Sequence, residues 1–263
     1  MAEQTPVHFF DILSSLPGPS KAWSPNTIKT RMALNYKGVP YTQTYVSYPD
    51  IAPLLRGLGV PPHPEGAPHI PYTLPAIWHP SYGALMDSLP VAAQIEKQYP
   101  ERPLFPSGNV SYALAVAVDK IMRGAAFSAY TFILPAIADI LDPRGREYYR
   151  TTRSAKLNKP FDEIRPTDQA VIQNMKNKMK EEMTPIVQML KGGSGKTGPF
   201  FEGDQPSYAD FIVEAFLIWF KYADETIWQE LIALGDGEIK RLWDACYPWV
   251  EGQGENKEWE IPK

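Results

Sequence analysis

The chain is 263 residues long, with 44% hydrophobic, 12% aromatic and 21% charged residues, a globular composition rather than a disordered one. At about 150 residues per domain it forms one large domain or two smaller ones and can bury a core without metal or disulfide staples. Lys plus Arg is 26 against 30 for Asp plus Glu, a formal net charge of -4 that makes no electrostatic case for nucleic-acid binding, and the single Cys246 rules out an internal disulfide.

Val7 to Ile12 is a short apolar run suited to a buried strand. Asn26 to Lys37 follows as a helix, with Ser24 or Pro25 at its start and Gly38 past its end. Tyr41 to Tyr48 alternates aromatic or β-branched residues with polar ones, as a strand does. Nine of the 27 prolines fall between Pro49 and Pro80, so no long helix runs there. Leu74 to Trp78 and Ala84 to Met86 read as two strands joined by a tight Ser81-Tyr82-Gly83 turn. Ser88 to Tyr99 then carries Leu89, Ala92, Ile95 and Tyr99 on one helical face. The first hundred residues are thus a small mixed α/β unit, and the proline-rich stretch 101–108 is the predicted linker.

Beyond the linker the period is helical. Ile172, Met175, Met179, Met183, Ile186 and Leu190 recur at steps of three and four, predicting one long amphipathic helix. Phe211 to Phe220 is apolar nearly all round except at Glu214, as in a buried helix, and Ser207 to Asp210 ahead of it has capping-box spacing. No basic-then-apolar leader opens the chain, and its apolar runs are too short to cross a bilayer. The expectation is a soluble cytoplasmic protein without membrane partner. Gly193-Ser194-Gly195-Lys196-Thr197 is like part of a phosphate-binding loop, but the position five before Gly195 is Leu190 and the stretch follows a helix, so nucleotide binding is rejected. The four histidines show no metal-ligand spacing, and no metal cofactor is expected.

Three places carry candidate chemistry. Ser24 stands at a helix N-terminus, where its hydroxyl and the positive end of the helix dipole can stabilise a thiolate. A plain cap is the alternative reading, Ser14, Ser15 and Ser20 are rival hydroxyls, and Asn26 is next in line. Pro75 donates no ladder hydrogen bond. With a cis bond before it, the main-chain N–H and C=O of Leu74 can pair with an extended peptide as an added strand would. An ordinary edge-strand proline is the other reading. Asp87-Ser88 closes a strand and opens a helix, a place that favours a ligand's carboxylate at the helix end and its ammonium on Asp87; a simple cap at Ser88 is compatible with this.

Trp23-Ser24-Pro25-Asn26, Thr73-Leu74-Pro75-Ala76-Ile77, Met86-Asp87-Ser88 and Gly203 to Phe211, in this order, resemble the cytosolic glutathione transferases over nearly the whole chain. The details look most like the serine-type fungal class related to bacterial glutathione-dependent β-etherases. The resemblance implies a two-domain α+β fold: a thioredoxin-like domain over 1–100 and an all-helical domain over 109–263. It implies glutathione as co-substrate, bound across Ser24, Asn26, Leu74, Pro75, Asp87 and Ser88, with His63 or His69 at its glycine carboxylate. Ser24 would activate the glutathione sulfur, since no protein cysteine stands there. Tyr112, Arg123 and Phe127, with Met122 and Tyr130 beside them, are candidates for the pocket of a hydrophobic electrophile, interdomain packing being their alternative role. The implied activity is detoxifying conjugation of xenobiotic or aromatic electrophiles by a homodimer, with peroxide reduction as a secondary activity. Aryl-ether cleavage and ligandin-like carriage of polyphenols stay open beside it.

Overall fold

A computed structural model describes residues 5–66, 70–252 and 254–262. Its contacts divide the chain into two compact units. The first comprises the chain through Arg102, together with Leu141–Tyr149 and the segment from Trp249 onward; the second comprises Pro103–Ile140 and Arg150–Pro248. This differs from the expected single break at 101–108, because two later segments return to the first unit.

The first unit is built on strands β1 (Val7–Ile12), β2 (Tyr41–Val46), β3 (Ala76–His79), β4 (Gly83–Met86) and β5 (Glu255–Asn256), ordered β4-β3-β1-β2-β5. β1 and β2 are parallel, so the chain between them must cross over, and helix α1 (Pro25–Lys37) makes that connection. Gly38 ends α1 at φ 67°, a left-handed position where glycine carries no steric penalty. α2 (Ile51–Gly57) is only seven residues long, as the proline density requires. α3 (Ser88–Gln98) follows β4 directly and packs against α1.

Polar residues in α1 are buried. Arg31 lies fully buried with its Nη2 2.6 Å from Asp11 of β1, and its Nη1 donates to Gln43 (2.7 Å) and Tyr41 (3.2 Å) of β2. The C-terminal segment closes the sheet's far edge. Lys257 N–H donates to Gln43 C=O at 2.9 Å, Gln43 Nε2 to Asn256 Oδ1 at 2.8 Å and Tyr41 Oη to Gly252 C=O at 3.2 Å. Trp259 then lies on the sheet, its ring 4.5 Å from His8, 5.2 Å from Phe10 and 5.3 Å from Trp78. Burial, helped by the Lys257 charge, lowers the His8 pKa to about 4, so its ring is neutral between the hydroxyls of Thr42 and Thr44.

The second unit is helical: α4 (Asn109–Ser128), α5 (Tyr130–Ile140), the later part of α6 (Pro143–Leu157), α7 (Gln169–Lys191), α8 (Tyr208–Ala223), α9 (Glu225–Ile232) and α10 (Glu238–Cys246). The predicted long amphipathic helix is α7, burying Met179, Met183, Ile186 and Leu190. α8 is the central helix, packed by α4, α5, α9 and α10. Its N-terminus carries the capping box: the Asp210 carboxylate accepts from the N–H and hydroxyl of Ser207 and from the Phe201 N–H. Burial outweighs those bonds and raises the Asp210 pKa to about 7. Lys196 of the glycine-rich stretch donates from Nζ to the Leu190 C=O, tying the loop to the end of α7.

Both carboxylate oxygens of Glu214 are buried without a hydrogen-bond partner among the described residues, and burial, followed by the charge of Asp244, raises its pKa well above the usual range. A carboxyl raised in the folded state contributes stability below its unfolded pKa of about 4.3 and loses it as pH rises toward the folded value. Glu214→Met removes this loss. The melting temperature of Glu214→Met at pH 8 is expected about 2–4 °C above that of the parent, corresponding to about 1 kcal/mol, with the gap narrowing toward pH 5; thermal unfolding across that range measures it.

Candidate active site

Strand register gathers the candidate residues at one end of the sheet. Phe10 near the end of β1 pairs with Ala76 at the start of β3, and Ala76 pairs with Met86 at the end of β4. The C-terminal ends of β1 and β4 and the N-terminal end of β3 therefore coincide. The chain leaves β1 toward α1 and leaves β4 into α3, so two helix N-termini open at the same end.

Ser24 is the N-cap of α1 and only 3% exposed. Its C=O accepts from the Ile28 N–H and the Thr27 hydroxyl, but its own hydroxyl caps no helix N–H, and Pro25 offers none. That hydroxyl is left for another acceptor at a positive helix end. Asn26 is half-buried in the first turn.

The Leu74-Pro75 bond is cis. Pro75 C=O accepts the Asp87 N–H at 3.0 Å, which ties the proline turn to the mouth of α3. Among the described residues, no partner is recorded for the main-chain N–H and C=O of Leu74. Asp87, the N-cap of α3, has φ 79° and ψ 133°, a backbone state that non-glycine residues rarely adopt. Its carboxylate is 40% exposed; Oδ1 accepts from the Thr73 hydroxyl at 3.2 Å and Oδ2 lies 3.4 Å from His63 Nε2. Ser88 is the first residue of α3.

His63, expected at a glycine carboxylate, stands against Asp87 and Thr73, its side chain 11% exposed. His69 lies outside the described residues. Tyr112, Arg123 and Phe127 all belong to α4 in the second unit and do not form one cluster. Tyr112 and Phe127 are fifteen positions apart, about 22 Å along a helix, and are 41% and 77% exposed. Tyr112 packs on Phe105, and Arg123 is bound to Asp119 one turn earlier at 2.5 Å.

Sequence reasoning missed an aromatic series within the first unit. Trp23, next to Ser24, lies 6.4 Å from the Tyr48 ring, and Tyr48 stacks on Tyr148 at 6.2 Å and 14° and touches Tyr149 at 5.5 Å. The returning segment is pinned by Ser15 Oγ to Leu141 C=O, by Ser47 Oγ to Asp142 and by Arg144 on Asp50 at 2.7 and 2.8 Å. The paired tyrosines sit in a polar helix, and nothing in its period announces where they pack.

Comparisons to known proteins show the family. The glutathione S-transferase N-terminal domain family model matches residues 23–98 and the C-terminal domain model residues 113–249. The glutathione S-transferase-like protein ustS of Aspergillus flavus is 50% identical over 99% of this chain and 97% of its own length. A crystal structure of a glutathione S-transferase of Ceriporiopsis subvermispora in complex with glutathione is similar at TM-score 0.82 and 30% identity, covering 93% of this chain and 98% of that one. Glutathione transferase GSTFuA3 of Phanerochaete chrysosporium is similar at TM-score 0.82 and 27% identity over 94% of this chain and 98% of that one. The chain belongs to the glutathione S-transferase family.

Because a Cβ at φ 79° carries strain of about 1–3 kcal/mol, the backbone of Asp87 favours glycine. Asp87→Gly is expected to unfold about 2–4 °C above Asp87→Ala, which loses the same carboxylate and keeps the strain; a melting comparison of the two variants measures it.

Proposed function

We propose that this glutathione S-transferase binds glutathione at the sheet end just described and conjugates its sulfur to hydrophobic, aromatic electrophiles in detoxification of xenobiotics. The observation that carries the reading is the uncapped Ser24 hydroxyl at the mouth of α1. In this reading Leu74 pairs its main chain with the cysteinyl residue, beside Pro75, and Asp87 takes the γ-glutamyl ammonium. Ser88 and the N-terminus of α3 take the γ-glutamyl carboxylate, and Asn26 stands by as a second donor to sulfur. Ser24 donates its O–H to the sulfur, the thiol proton leaves to solvent, and the thiolate bonds to the electrophilic carbon, the displaced π pair taking up a proton from solvent in an addition or the leaving group departing with its bonding pair in a displacement.

Thiol activation alone accounts for a modest part of the rate. A free thiol near pKa 8.5 is a few per cent ionised at pH 7, and a drop of two units raises that about 25-fold. Falling nucleophilicity takes back about eightfold, leaving about threefold. The larger share comes from holding sulfur and electrophile together. The Tyr48 and Tyr148 rings, packed next to the buried Trp23, favour a flat aromatic partner on this side of the unit. Aryl ethers fit that wall as well as conjugation substrates do, and the same thiolate would displace at their carbon. A ligandin-like carrier of aromatics would bind there without turnover. Peroxide reduction by the thiolate is the secondary activity. The protein is proposed to be cytoplasmic and to act as a homodimer, for which the exposed Val110, Val116 and Phe127 of α4 offer apolar surface.

Ser24→Ala is expected to lower turnover at pH 7 by about threefold or more and to move the acidic limb of the pH–rate profile upward toward about 8.5, with glutathione affinity at pH 7 falling about fourfold, as linkage to a two-unit pKa change requires. Ser24→Cys is expected to gain thiol–disulfide exchange with glutathione. An unchanged pH profile in Ser24→Ala overturns the assignment. Tyr148→Ala is expected to raise KM for an aromatic isothiocyanate about fivefold and to spare KM for glutathione, in keeping with about 1 kcal/mol for a ring contact; steady-state kinetics with each substrate varied in turn measures both.

A further inference from the structure

The Asp87 carboxylate carries a fixed neighbour on each oxygen. Thr73 donates to Oδ1 at 3.2 Å and the His63 ring presents Nε2 to Oδ2 at 3.4 Å, with Thr73 Oγ1 3.5 Å from the same nitrogen. His63 is itself held in place: its main-chain N–H donates to Pro71 C=O at 2.9 Å and its side chain is 11% exposed. A ring so placed is held against the carboxylate and does not sweep the surrounding solvent. Asp87 cannot adjust freely either, since its backbone sits in a sparsely populated state with its N–H fixed on Pro75 and its C=O on Val91.

We infer that His63 is a positioning residue for the γ-glutamyl end of glutathione: acting through Asp87 together with Thr73, it orients the carboxylate that receives the α-ammonium, and it does not contact the glycine carboxylate. The inference rests on the glutathione reading above. The physical reason is preorganisation. An acceptor already held on both oxygens by a hydroxyl and an imidazole loses little freedom when the ammonium arrives. Removing the imidazole leaves the carboxylate free to rotate away, and the loss falls only on ligands that carry the ammonium. This separates His63 from a residue that touches the ligand's other end.

The experiment is isothermal titration of three tripeptide-related ligands into the full chain. Glutathione carries both ends, γ-glutamylcysteine lacks the glycine carboxylate, and glutaryl-cysteinylglycine lacks only the α-amino group. His63→Ala is expected to weaken glutathione and γ-glutamylcysteine by a similar factor of about 5–10 and to leave glutaryl-cysteinylglycine within about twofold. His63→Gln, which keeps a donor at that reach, is expected to restore most of the affinity, and it serves as the reporter should His63→Ala melt early. Adding His63→Ala to Asp87→Asn is expected to cost glutathione little further. Loss that persists with glutaryl-cysteinylglycine and vanishes with γ-glutamylcysteine overturns the inference in favour of a glycine-carboxylate contact. Equal loss on all three ligands overturns it in favour of a general structural role. If the parent protein binds no glutathione while remaining folded, the functional reading fails first and this inference with it.

Discussion

One buried guanidinium holds the first unit in register. Arg31 and Asp11 face each other at 2.6 Å with no exposed side-chain surface, a pairing whose desolvation cost is offset in part by hydrogen bonds to the remaining Nη donors. Gln43, Tyr41 and Tyr45 supply partners, and the Phe9 ring lies 5.2 Å from the guanidinium. The pair joins α1 to β1 and, through those partners, to β2. It thereby sets where α1 begins, and hence where Ser24 stands relative to the end of the sheet. Tyr41 and Gln43 pass the same constraint outward, since they also hold Gly252 and Asn256 of the C-terminal segment.

Acidic side chains meet different fates in the two units. Asp87 is left partly exposed on a constrained backbone, so its carboxylate is held in one place with a face toward solvent. Asp210 is fully enclosed, and its hydrogen bonds fix the start of α8 while burial works against its charge. Glu214, one helical turn further on, has no such compensation. A carboxylate with donors and solvent can serve a ligand; one without either serves only the fold, and at a cost.

Local signals were read well. The Val7–Ile12 run, the Ser24 and Gly38 ends of α1, the step pattern of α7 and the Ser207 to Asp210 box each depend on a few neighbouring residues, and each corresponds to an observed element. Likewise, the peptide bond before Pro75 is cis, as its strand position suggested. Long-range placement was not legible. The burial of Lys29 and Arg31 has no local signal, because the partner carboxylate of Arg31 lies twenty residues away. β5 is a two-residue polar strand with no hydrophobic period, visible only once β2 offers it an edge. The stacking of Tyr148 on Tyr48 and the approach of His63 to Asp87 likewise depend on how loops return, about which residue spacing says nothing.

The path of the chain carries a consequence for recombination. The first unit is assembled from three separate stretches, so exchanging it whole between relatives takes four crossovers where a simple head-to-tail protein takes one. A swap made at Arg102 alone would pair a sheet with a foreign edge strand and set Tyr48 against an unfamiliar ring. Homologous shuffling in this lineage is therefore expected to trade surface loops more readily than whole halves, so that the sheet end bearing Ser24 and the Tyr48–Tyr148 stack are inherited together.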